Sequence, residues 1–239
     1  PKFAHLPLLL NEDRSKLSKR QGDVAVEDYL NKGYLPAALL NFLVLLGWNP
    51  GNNREIFSLK QLINEFTLER INKSGSVFDI KKLDWMNGQY IRKMSDESYF
   101  VEAKKWIDES KFKKDKIHIA LKSLKPRLIK MTDIQEKLKL FTQEKFKIVN
   151  EDAKEIISMN STKVVLKSYI QKINSIDELT GKVFQKIMNE IQKETGVKGK
   201  NLWMPIRIAL TGGMNGPELD YIVEYFGKEE NIKSVEKHI

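Results

Sequence analysis

Ile117-His118-Ile119-Ala120-Leu121-Lys122-Ser123-Leu124-Lys125-Pro126-Arg127-Leu128 sets Ile117, Leu121, Leu124 and Leu128 on one stripe. Apolar residues recurring three and four apart mark a helix that packs by one face. Pro126 lacks an N–H and its ring clashes with the carbonyl one turn back, so the helix should kink or restart there. The same period runs outward in both directions. Ser95-Asp96-Glu97 opens a helix with Phe100, Ala103 and Ile107 on one side, and Thr132-Asp133-Ile134-Gln135 has the form of a capping box ahead of Leu138 and Phe141. Leu166, Tyr169, Ile170 and Ile173 mark a further helix, and Phe184, Ile187, Met188 and Ile191 a long one stopped by Gly196. Period-two alternation is scarce after Ile91. From residue 95 onward the chain reads as an all-helical bundle.

Upstream the pattern is mixed. Leu6-Pro7-Leu8-Leu9-Leu10 reads as a buried strand, followed by the polar turn Asn11-Glu12-Asp13-Arg14 and the basic loop Lys16-Leu17-Ser18-Lys19-Arg20. Val24 to Leu30 can start a short helix, and Pro36 fits the first turn of a run containing Leu39, Phe42, Leu43 and Leu46 that ends at Gly47. Trp48 to Asn53 is a turn cluster. Ser58-Leu59-Lys60-Gln61 is a second capping box, and Asp79 can cap a helix carrying Leu83 and Met86, with Gly88 just beyond its end. Trp85 and Tyr90 read more readily as core than as stacking platforms. The change of pattern puts a boundary near residues 92–96, between a small α+β region and the bundle; the fold class is mainly α.

The chain has 239 residues, of which 41% are apolar and 31% charged, an ordinary globular mixture. It has no Cys, so it forms no disulfide-linked partner or thiolate metal site, and His5, His118 and His238 lack ligand spacing. No apolar run is long enough for a bilayer span. The net charge of +9 is uneven: residues 91–130 hold 12 basic and 6 acidic side chains, against 12 and 10 before them and 17 and 16 after. A concentrated positive field of this kind attracts polyanions, although a solvated lysine face accounts equally well for any single lysine.

Three cations on one short loop suit a polyphosphate, whose charge calls for ammonium and guanidinium donors; a merely solubilised surface turn is the alternative. The opening from Phe3 through Arg20 closely resembles the second signature segment of class I aminoacyl-tRNA synthetases, specifically the bacterial glutamyl group. Gly33-Tyr34-Leu35-Pro36-Ala37-Ala38-Leu39-Leu40-Asn41-Phe42-Leu43 with Leu46-Gly47-Trp48 is similar to the same family. So are Val77-Phe78-Asp79 with Leu83-Asp84-Trp85-Met86-Asn87-Gly88-Gln89-Tyr90-Ile91-Arg92, Met204 to Gly212, and Gly216-Pro217-Glu218-Leu219. The His-Ile-Gly-His type of motif and any Gly-rich phosphate loop are absent from this sequence. The expectation is a C-terminal portion of a longer enzyme, beginning just before the lysine-rich loop.

The resemblance implies residues 1–22 as the end of a catalytic domain, 23–94 as a stem-contact fold, and 95–175 and 176–239 as two helical anticodon-binding subdomains. It implies Lys16 and Lys19 as catalytic cations and Lys16, Ser18, Lys19 and Arg20 as a seat for the phosphates of ATP, with Mg2+ in the full-length enzyme. For RNA it implies Arg127, Arg207, Thr211, Gly216, Pro217 and Leu219 as contacts to the anticodon. The partner would be tRNA(Glu), with tRNA(Gln) open. The parent enzyme would ligate glutamate to tRNA through a glutamyl-adenylate, as a cytoplasmic monomer, whereas this chain alone would bind tRNA without charging it. Two alternatives stand beside this reading: a part of a glutaminyl-type synthetase, disfavoured by the helical periodicity, and a helical interaction module with no RNA role.

Overall fold

The computed structural model describes residues 6–18, 25–142, 147–148 and 150–239. In chain order the elements are β1 (Leu9–Leu10), α1 (Val26–Asn31), α2 (Pro36–Gly47), α3 (Leu59–Glu65), β2 (Ser76–Val77), α4 (Ile80–Lys93), α5 (Asp96–Lys104), α6 (Ile117–Leu124), α7 (Asp133–Leu138), α8 (Glu151–Ser158), α9 (Asn160–Asn174), α10 (Gly181–Thr195), α11 (Lys200–Thr211) and α12 (Leu219–Val235). The mainly helical reading holds, with one small α+β portion. By packing, the chain divides into two units, one of residues 1–107 with 125–136 and the other of 108–124 with 137–239.

In the first unit, α2 packs on α4, and β2 pairs in parallel with β1. Pro36 opens α2, Ser58 caps α3 through its box with Gln61, and Asp79 caps α4 through the N–H groups of Lys81 and Lys82. The core holds Tyr34, Leu39, Phe42, Leu83 and Met86, with a second cluster of Trp48, Phe57 and Leu62. Buried Asn41 joins two segments: its Oδ1 accepts from the Phe57 N–H at 2.8 Å and the Tyr90 hydroxyl at 2.8 Å. Burial pushes the Tyr90 phenol up to about 12.

Five local expectations are corrected here. The strand is two residues long and half-buried, and Leu6 and Leu8 are exposed, because β2 is the one strand that pairs with β1 among the described residues. Gly88 lies inside α4, not after it; the lack of a side chain there answers a close backbone approach rather than a helix end. On α5 the fully buried side chain beside Ala103 is Tyr99 rather than Phe100, and Ile107 falls past the helix end. The capping box at Thr132 is replaced by other bonds: Thr132 donates to the Lys32 carbonyl at 2.8 Å, and Asp133 accepts from the Ile129 and Lys130 N–H groups. Trp85 is 43% exposed, so it is not a core residue, whereas Tyr90 is half-buried.

In the second unit α9, α10, α11 and α12 pack against one another, α8 lies on α9 and α11, and α6 lies on α12. Tyr169 and Phe184 meet edge to face with centroids 5.9 Å apart, and Phe184 meets Trp203 in the same way at 5.8 Å. Helix α12 breaks at Gly227, whose φ of 75° is one that L side chains rarely adopt. A break strands carbonyls, and side chains supply donors to them. Lys116 Nζ donates to Glu224 O at 3.1 Å, Lys113 Nζ to Phe226 O at 3.2 Å, and Asn231 Nδ2 to Val223 O at 3.0 Å and Gly227 O at 2.7 Å. The Tyr169 hydroxyl closes the set by donating to Asn231 Oδ1 at 3.0 Å.

Asn231 is fully buried, so Asn231→Ala would remove its bonds to that hydroxyl and to two carbonyls. Each buried unpaired group costs about 1–3 kcal/mol. The expected loss is on the order of 2–4 kcal/mol in urea unfolding, against well under 1 kcal/mol for the exposed Lys198→Ala.

Candidate nucleic-acid interface

The opening loop is a tight reversal. Asn11 N–H donates to Ser15 O at 2.8 Å, Leu17 N–H to Leu9 O at 3.0 Å, and Lys16 bridges back to Leu10 in antiparallel fashion. Ser15 donates to Asp13, and its hydroxyl leads the interactions that hold the Asp13 carboxyl below its ordinary value. This geometry presents Lys16 to solvent, with Ser18 half-buried. Lys19 and Arg20 lie outside the described residues.

Of the cationic stretch 91–130, several members are committed to the fold. Lys125 Nζ donates to Met94 O and to Asp96, each at 2.7 Å, and sits over the Tyr99 ring. Lys113 pairs with Glu230 at 2.8 Å, and Lys116 is spent on the α12 break. Division between the two units also splits the stretch, with residues 108–124 belonging to one and the remainder to the other. The charge excess is therefore part scaffold and part surface.

Arg127 belongs to the first unit. Helix α6 ends at Leu124, and residues Lys125–Arg127 form a single 3-10 turn, the restart that Pro126 predicts. The carbonyl of Pro126 is satisfied by Arg92 Nη1 at 3.4 Å, not by Arg127. Arg127 itself is exposed, and no described residue makes an ion pair or side-chain hydrogen bond with it.

The remaining residues expected to meet RNA come together in the second unit around the α11–α12 loop. Arg207 is half-buried and its Nη1 donates to Pro217 O at 2.9 Å. A Cβ at Gly216 would sit 3.4 Å from that guanidinium nitrogen. Thr211 is buried, with its hydroxyl donating to Arg207 O at 2.8 Å and accepting from the Gly213 N–H at 3.3 Å, so it shapes the loop. Pro217 and Leu219 are buried. Pro217 precedes the N-cap Glu218 instead of entering the first turn of α12 as its position suggests.

Beside this loop lies a cavity of about 340 Å3 lined by Gln185, Trp203, Met204, Arg207, Glu218 and Asp220 among others. Gln185 donates to Asp220 at 2.7 Å. An indole, a guanidinium and paired polar groups around one hollow can stack a base and bond its edge. Trp203 and Glu218 were not among the expected contacts. The spacing of Trp203 and Arg207, one helical turn apart, is the signal that places both on one face.

A family model described as "Anticodon binding domain" matches residues 94–239, and one described as "tRNA synthetases class I (E and Q), catalytic domain" matches 1–85. Glutamate–tRNA ligase 1 of Caldicellulosiruptor saccharolyticus is 44% identical over 99% of this chain and 50% of its own length. The glutamate–tRNA ligase of Clostridioides difficile is 40% identical over 98% of this chain and 49% of its own. The crystal structure of a glutamate tRNA ligase from Elizabethkingia meningosepticum superposes with a TM-score of 0.86 at 30% identity, over 100% of this chain and 51% of that one. The chain thus spans about half the length of the curated relatives it matches. Matched by the anticodon-binding model over more than half its residues, the chain belongs to the anticodon-binding domain family.

Proposed function

We propose that this chain recognises tRNA for a glutamate–tRNA ligase, with Arg127 and Arg207 reading the anticodon. Arg127 carries the reading: it stands exposed at a helix restart whose free carbonyl another arginine already serves, inside the matched region. An unused planar fork at a fixed position is suited to stacking on, or bonding the edge of, an unpaired base. Arg207, Gly216, Pro217 and Leu219 would line a second contact beside the Trp203 hollow, with Thr211 holding the loop in shape.

In the parent enzyme, Lys16 and Ser18, with Lys19 and Arg20, would face the phosphates of ATP as glutamate is activated. Preplaced cations stabilise the charge that builds on the transferred group and the departing pyrophosphate. No group of three or more His, Cys, Asp or Glu side chains that could hold a metal ion occurs among the described residues. This chain alone is expected to bind tRNA(Glu) without charging it. A cytoplasmic monomer completes the reading.

Arg127→Gln should lower the preference for a cognate over a third-letter-altered anticodon stem-loop by about tenfold, equivalent to about 1.4 kcal/mol, as read by equilibrium titration. An unchanged ratio removes the assigned role. Binding should weaken linearly in log salt, by a slope of roughly −0.7 for each phosphate neutralised on single-stranded RNA. Indifference to both tRNA and salt would instead identify an interaction module without RNA.

A further inference from the structure

Two of the sequence stretches that carry the family resemblance, Gly33 to Pro36 and Asp84 to Arg92, lie outside the proposed phosphate and base contacts. In the structure both grip the segment that follows Lys125. Gly33 has a φ of +84°, and a Cβ on it would lie 2.6 Å from Thr132 N and 2.8 Å from Met131 N. Its carbonyl accepts from the Met131 N–H at 2.9 Å. Asn87 is fully buried and bonds in two directions: Oδ1 accepts from the Leu35 N–H at 2.8 Å, and Nδ2 donates to Ile129 O at 2.6 Å. Gly88 faces the same strap, where a Cβ would meet Leu128 O at 3.2 Å and the Arg92 guanidinium at 3.0 Å.

We infer that Gly33, Asn87 and Gly88 are positioning residues for Arg127, fixing the 126–132 backbone so that its guanidinium meets one base at one height and angle. The inference rests on the reading of Arg127 given above. A fork that discriminates between base edges does so through geometry, so a shift of a few tenths of an ångström in its backbone erodes discrimination before it erodes binding. Asn87 suits the task because one amide ties the Leu35 N–H at the entry to α2 and the Ile129 carbonyl of the strap to the same point on α4. Gly88 suits it because the strap carbonyl rests where a methyl group would stand. Lys125, anchored to Met94 and Asp96, holds the other end.

The test is a double-mutant cycle on the 239-residue chain, titrated with two anticodon stem-loops that differ only in the third letter. Gly88→Ala, which adds one methyl and raises helix propensity, and Asn87→Asp, which keeps the acceptor for Leu35 and removes the donor to Ile129, should each lower the preference ratio by about three- to tenfold. Thr132→Val, which removes only the bond to the Lys32 carbonyl, should lower it by about twofold. None should change the salt slope, and in an Arg127→Gln background none should lower the ratio further. If Arg127→Gln alone leaves the ratio unchanged, the reading of Arg127 fails and the inference with it. If Arg127→Gln lowers the ratio but the folded variants keep the wild-type value, or weaken both stem-loops equally, the positioning role is overturned while the reading stands. Should Asn87→Asp not fold, Gly88→Ala and Thr132→Val decide, because neither places an unpaired polar group in the core.

Discussion

A carbonyl taken out of water must find a donor, and this protein is organised around the places where its helices fail to provide one. Three interruptions matter: the restart after Pro126, the break at Gly227, and the loop between α11 and α12. At each, a side chain supplies the missing bond. Arg92 and Asn87 serve the first, Lys113, Lys116 and Asn231 the second, and Arg207 the third. Leu46, at the end of α2, is finished in the same manner by Asn72 and Ser76. Net hydrogen-bond energies are small, about 1 kcal/mol each, but an unmade bond in a closed interior costs more than a made one contributes. That asymmetry explains why so many cations and amides are spent on scaffold in a chain with a surplus of positive charge.

It also separates the arginines. Arg92 and Arg207 both donate to carbonyls beyond their own helices, Arg92 from an exposed position and Arg207, half-buried, at the rim of a hollow. Arg127 sits one residue from a carbonyl that Arg92 has claimed. The sequence order Lys125-Pro126-Arg127 invites the view that Arg127 repairs the break made by its neighbour. The coordinates assign that repair to α4.

Much of the architecture was legible in the residues. Periodicity located the helices after residue 95, Ser58 and Asp79 announced the starts of α3 and α4, and Pro126 announced the restart. The misreadings share a physical cause. Gly88, by its lack of a side chain, and Thr132, by its hydroxyl, answer to partners tens of residues away, and local rules weigh only near neighbours. Tyr99 displaced Phe100 for the same reason, since its face of α5 is set by where Lys125 arrives. At the interface, Arg207, Gly216 and Pro217 were legible as neighbours because one loop carries them, whereas Trp203 and Glu218 required the turn of α11 and the entry to α12 to be built first.

The strap from Leu128 to Asp133 falls within the stretch matched by the anticodon-binding model, yet it folds with the residues that precede that stretch. Homology and packing therefore cut the polypeptide at different places. A chimera joined at residue 94 would inherit the strap from one parent and its cradle of Gly33, Asn87 and Gly88 from the other. Exchange of recognition modules between related ligases is then constrained by a seam invisible in the domain map, and the cradle travels with the strap or the graft is mismatched.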